Sequence, residues 1–116
     1  MTGRWLSIVG IGEDGATGLT PVARQLIGDA DLVVGGERHL ALAGSVLRGR
    51  SLAWPSPMTE ALPEIERHRD RRVVVLASGD PLHYGVGTML LRRFAPDEVL
   101  CLPAPSAFSL AAARLG

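Results

Sequence analysis

The stretch Arg72-Val73-Val74-Val75-Leu76-Ala77 decides the fold. It holds three β-branched residues and a leucine in succession, which favours extended backbone, and it is too short for a buried helix. Its apolar residues do not alternate with polar ones, so both faces of the strand must be covered. Working outward, Trp5–Val9, Asp31–Val34, Ser51–Trp54 and Glu98–Leu102 read as further strands, each closed by Gly or Pro. Helices are predicted over Pro21–Asp29, Glu37–Ala43, Thr59–Arg69, Gly85–Phe94 and Ser106–Leu115. Thr20 should cap the first of these and Pro21 suits its first turn. Val22, Leu26 and Ile27 are expected on its buried face. Apolar strands that alternate with helices indicate the α/β class. The expected architecture is a five-stranded, mostly parallel sheet with helices on both faces.

The chain has 116 residues, the length of one domain, and no repeat or linker interrupts it. A domain of that size buries about two thirds of its unfolded surface, so it needs no disulfide or metal to fold. Apolar residues make up 47%, and 12 basic residues balance 12 acidic ones, which argues against disorder. The balance also argues against nucleic acid or an anionic membrane as the main partner. Every basic residue is Arg and none is Lys, which excludes a Schiff-base or P-loop lysine in this chain. A single cysteine, Cys101, excludes an intramolecular disulfide and a Cys-rich zinc site, and no metal site is expected. The N-terminus has no apolar stretch suited to a signal peptide or membrane span, so a cytoplasmic protein is expected.

In a parallel sheet, ligands bind outside the carboxyl ends of the strands. Three segments there carry informative residues. The first, G-I-G-E-D-G (10–15), is a literal G-x-G-x-x-G after a strand, with Asp31 downstream. Dinucleotide binding would require a helix to open inside the motif. The helix signal comes later, at Thr20-Pro21, and Glu13 and Asp14 would face a pyrophosphate. A structural turn or another small-molecule loop are the other readings.

The second segment, A-S-G-D-P-L-H-Y-G-V-G (77–87), follows the strongest strand. Its glycines let a ligand approach the backbone. Asp80 is either a turn former or a binding residue. Tyr84, the one tyrosine, is either packing or a pocket wall. The third segment, L-P-A-P-S-A-F-S-L (102–110), places Ser106 at a helix start, as a cap or a ligand contact. His39, His68, Trp54 and Cys101 read as surface or packing residues.

Three runs carry a family resemblance: A-D-L-V-V-G-G-E-R-H-L (30–40), S-G-D-P-L-H-Y-G-V-G (78–87) and P-A-P-S-A-F-S-L-A-A-A-R-L-G (103–116). Together with the opening G-I-G-E-D-G loop, they resemble the tetrapyrrole methylase family. Within it, G-G-E-R-H-L and A-A-A-R-L-G are most similar to the precorrin-6Y methyltransferase branch of cobalamin biosynthesis. The resemblance spans nearly the whole chain in order. Glu13, His83 and Ala107 stand where the family more often has proline, an aromatic or aliphatic residue, and serine.

The resemblance implies S-adenosylmethionine as methyl donor, held in a cleft between two α/β domains. This chain corresponds to the N-terminal one. It implies donor contacts at Ser78, Gly79, Asp80, Pro81, Tyr84, Gly85, Pro105, Ser106 and Ala107. Gly10, Gly12 and Gly15 would face the macrocycle, and Arg38 would meet one of its carboxylates. The implied reaction methylates position 5 of a corrin precursor, through in-line positioning and exclusion of water. His83, in the donor loop, is the candidate base. A homodimer, a corrinoid tetrapyrrole substrate and a fused or separate partner for C15 methylation and decarboxylation are also implied. The alternatives are a non-catalytic binding or dimerisation module and a dinucleotide-binding domain.

Overall fold

The structure is a computed structural model that describes residues 4–12, 15–77 and 86–102. In chain order its elements are β1 (Leu6–Gly10), α1 (Pro21–Asp29), β2 (Leu32–Gly35), α2 (Glu37–Leu42), β3 (Arg50–Ala53), α3 (Leu62–Arg67), β4 (Val73–Ala77), α4 (Val86–Arg93) and β5 (Val99–Leu102). Short 3-10 turns occupy Gly15–Gly18, Met58–Ala61 and Pro96–Glu98. Each predicted strand lies within one residue of its expected bounds. The predicted final helix, Ser106–Leu115, falls outside the described residues.

The strands form one sheet in the order β3-β2-β4-β1-β5, and all four pairings are parallel. The connections from β1 to β2 to β3 progress in one direction, and those from β3 to β4 to β5 in the other. Right-handed crossovers then place the first two helices on one face and the next two on the opposite face. Two cores result. Against α1 and α2 lie Val9, Val33, Val74 and Leu76, with Ala23 and Ile27 of α1 buried on them. Against α3 and α4 lie Leu6, Ile8, Leu32, Val34, Val73 and Val75, with Ile65, Leu90 and Phe94. Both faces of β4 are therefore buried, as an unbroken apolar run requires.

Two expectations need correction. Val22 is 59% exposed; the stripe that meets the sheet is Ala23 and Ile27. These two are four residues apart and share a helix face, whereas Val22 lies one position, about 100°, off it. The predicted helix over Thr59–Arg69 is shorter and divided. Pro63 has no N–H to bond the carbonyl of Thr59, and Leu62 donates to that carbonyl instead, closing a 3-10 turn before α3. α3 then ends at Arg67, with turn bonds from His68 to Ile65 and from Arg71 to His68.

Trp5, before β1, closes the amino end of the sheet. Its ring meets Phe94 edge-on at 5.3 Å, and its indole N–H donates to Glu98 at 3.1 Å. The Arg69 guanidinium lies over both rings and pairs with Glu98. Glu98 also accepts the Ala95 N–H at 3.1 Å.

Candidate functional site

A ligand crevice forms where neighbouring strands send their connections in opposite directions. β1 and β4 are such neighbours, since β1 leads away to β2 and β4 leads to β5 on the other side. The carboxyl ends of this pair are lined by small residues. Ile8 pairs with Val75 and Val9 with Leu76, but the last pair is Gly10 with Ala77. The Ile11 N–H still donates to the Ala77 carbonyl at 2.9 Å, so the ladder holds to its end. The crevice floor is therefore rigid and nearly free of side chains. Ala77 was not singled out from the sequence. Only the register shows that it faces Gly10.

Gly10 is buried, Gly12 half-buried and Gly15 buried. The Gly15 N–H donates to the Gly12 carbonyl at 3.0 Å. Gly15 has φ +60°, and a Cβ there would stand 2.9 Å from the Leu42 carbonyl oxygen. This glycine docks the loop on the end of α2 instead of opening a helix. α1 starts only at Pro21, where the Thr20 hydroxyl accepts the Ala23 N–H at 3.2 Å. The literal G-x-G-x-x-G thus lacks the helix N-terminus that a pyrophosphate needs.

Arg38 is exposed on α2, one turn before Leu42. The helix that carries this guanidinium is thus the one against which Gly15 packs. α2 in turn sits close on the sheet at Gly35, where a Cβ would come within 3.6 Å of the His39 Cβ. Gly10, Gly12 and Gly15 thus lie at and just after the carboxyl end of β1, and Arg38 is carried by the helix on which Gly15 packs. Ser78, Gly79, Asp80, Pro81, His83, Tyr84, Gly85, Pro105, Ser106 and Ala107 lie outside the described residues. Asp80 and its neighbours follow Ala77 in sequence, directly after the crevice floor.

The residues read as packing are placed accordingly. Nδ1 of His68 donates to the Glu64 carbonyl at 2.9 Å. Trp54 packs on the α3/α4 core. Cys101 is half-buried on the edge strand, and burial pushes its thiol up from the usual range. Among the described residues, no three or more His, Cys, Asp or Glu side chains gather as metal ligands, and no helix is long and apolar enough to cross a membrane. A charged depression of about 680 Å³ holds Arg4, Asp31, Arg69, Asp70 and Arg71. It lies at the amino end of the strands, opposite the crevice.

A precorrin-6Y C(5,15)-methyltransferase (decarboxylating) from Sinorhizobium is 53% identical over 112 residues, covering 97% of this chain and 27% of its own length. A cobalt-precorrin-7 C(5)-methyltransferase from Salmonella typhimurium is 39% identical over 111 residues, covering 96% of this chain and 55% of its own. The chain thus spans between about a quarter and a little over half of these relatives. Among solved structures, a precorrin-6Y methylase of cobalamin biosynthesis from Archaeoglobus fulgidus superposes with a TM-score of 0.71 at 36% identity, over 97% of this chain and 59% of that one. A Thermus thermophilus uroporphyrin-III C-methyl transferase complexed with S-adenosyl homocysteine superposes at 0.65 with 28% identity, over 88% and 48%. The family model for tetrapyrrole (corrin/porphyrin) methylases matches residues 6–116, and the chain belongs to that family.

Proposed function

We propose that this chain is the N-terminal unit of a two-domain methyltransferase that methylates position 5 of a corrin precursor in cobalamin biosynthesis. The observation that carries the reading is the Gly10–Ala77 floor between β1 and β4, with the glycine loop on one side and S-G-D-P continuing from the other. Position 5 is favoured because the chain matches both a C(5,15) enzyme and a C(5) enzyme. What those two names share is methylation at that carbon. Coverage of 27% and 55% of these relatives supports a longer functional protein. A fused or separate partner would supply the C15 step.

S-adenosylmethionine fits the site as methyl donor, because a floor of Gly and Ala leaves backbone accessible to a polar ligand. Its sulfonium supplies an activated methyl group. Ser78, Gly79, Asp80, Pro81, Tyr84 and Gly85 would hold the donor from the β4 side, and Pro105, Ser106 and Ala107 from the β5 side. Gly10, Gly12 and Gly15 would face the macrocycle, and Arg38 would take one of its carboxylates through a bidentate pair. The protein's part is to align donor and ring carbon and to exclude water. His83 is the proposed base for the proton lost around methylation. The working form is proposed to be a cytoplasmic homodimer.

Titration calorimetry with S-adenosylhomocysteine and with NAD tests the reading. The chain should bind the former, and Asp80→Ala should weaken it about ten-fold. NAD binding without S-adenosylhomocysteine binding would overturn the reading in favour of a dinucleotide-binding domain.

A further inference from the structure

His39 stands beside the crevice without a part in the reading above. It is half-buried on α2, on the side of the helix that meets the end of β2. A Cβ on Gly35, the last residue of β2, would lie 3.6 Å from the His39 Cβ and 3.1 Å from the Leu76 Cβ of β4. Val34 pairs with Val75, so Gly35 falls level with Leu76. Leu76 pairs in turn with Val9 of β1. The histidine is therefore next to β4, one of the two strands that flank the crevice. Leu42 lies three residues further along α2, on the same helix face. A Cβ on Gly15 would come within 2.9 Å of the Leu42 carbonyl oxygen and 3.5 Å of its Cδ2. The glycine loop thus docks on α2 one turn beyond His39.

Gly36 supplies a second, independent observation. Its φ is −65°, an angle any residue adopts. It precedes the first turn of α2, where Ser, Thr or Asp would cap the helix, and it makes no such bond. Neither backbone geometry nor capping accounts for a glycine here. A Cβ at this position would stand 3.8 Å from the His39 Nδ1, and a longer side chain would cover that nitrogen. With glycine, residue 36 leaves Nδ1 accessible from its own side. Arg38 precedes His39, so the two side chains leave α2 about 100° apart. One helix therefore carries an exposed guanidinium and, turned inward towards β4, an imidazole.

We propose that His39 is a substrate contact, its Nδ1–H donating to one carboxylate of the macrocycle while Arg38 takes another. The inference rests on the corrin-precursor reading above and adds a second fixed point to it. Two contacts from one helix orient a flat polycarboxylate ring, which a single guanidinium leaves free to turn.

The test is titration of the 116-residue chain with uroporphyrin I, a flat polycarboxylate, followed by porphyrin fluorescence. The chain should bind it, and His39→Leu should weaken binding about ten-fold. His39→Asn keeps an N–H close to the place of Nδ1 and should stay within about three-fold of the wild type. A histidine that only packs gives the reverse order, because Leu preserves apolar volume and Asn does not. Urea midpoints, and the ring signals of His68 on the opposite face of the sheet, report that each variant is folded. Binding that His39→Leu leaves unchanged overturns the inference, as does the reversed order. A chain that binds S-adenosylhomocysteine but not uroporphyrin overturns it as well. A chain that binds neither overturns the methyltransferase reading with it.

Discussion

Gly15 combines a positive φ with a Cβ position 2.9 Å from the Leu42 carbonyl. Gly15→Ala should therefore cost about 2–3 kcal/mol, read from urea unfolding, because strain and contact act together. The sequence marked Gly15 as a motif glycine, but its packing against α2 was not legible, since Leu42 lies far along the chain. Glu98 makes a pH-dependent contribution. The Trp5 indole, the Ala95 N–H and the Arg69 guanidinium hold its carboxyl below the usual 4.5. A carboxylate with a depressed folded pKa adds stability that is present above about pH 4.5 and lost as pH falls through the folded value. Thermal unfolding between neutral pH and pH 3 should fall less steeply for Glu98→Gln than for the wild type. Identical slopes would show that the contacts are too solvent-screened to matter.

At the scale of elements, α1 was legible almost to the residue. Thr20 and Pro21 mark its start through local chemistry that needs no tertiary contact. Thr20→Ala removes the bond to the Ala23 N–H and should cost about 1 kcal/mol. The buried face of α1 was less legible, because Val22 is the more apolar residue and yet Ala23 faces the sheet. Close approach of a helix to a sheet favours the smaller side chain there. Helices α3 and α4 contribute Ile65 and Leu90, both fully buried on the opposite face. Ile65→Ala or Leu90→Ala should each lower stability by roughly 2–5 kcal/mol, measured as a shift in denaturant midpoint.

At the scale of the molecule, two cores share one sheet, and β4 contributes to both. Unfolding should therefore be a single cooperative transition. The two tryptophans, Trp5 and Trp54, report only on the α3/α4 face. Ile27→Ala, on the other face, should still shift the fluorescence midpoint as much as the circular-dichroism midpoint. Separate transitions would show that the faces unfold independently.

The sequence by itself determined the strands, the starts of α1 and α2 and the parallel class, because those depend on β-branching, caps and apolar runs within a few residues. Its motif runs also placed the chain in its family, as the match over residues 6–116 shows. Strand order was decided only in three dimensions. Nothing local states that β4 inserts between β2 and β1. That insertion opposes Gly10 to Ala77 and sets the crevice between β1 and β4. Each of these joins residues distant in the chain, so each depends on how the two faces of the sheet are covered and not on any local pattern.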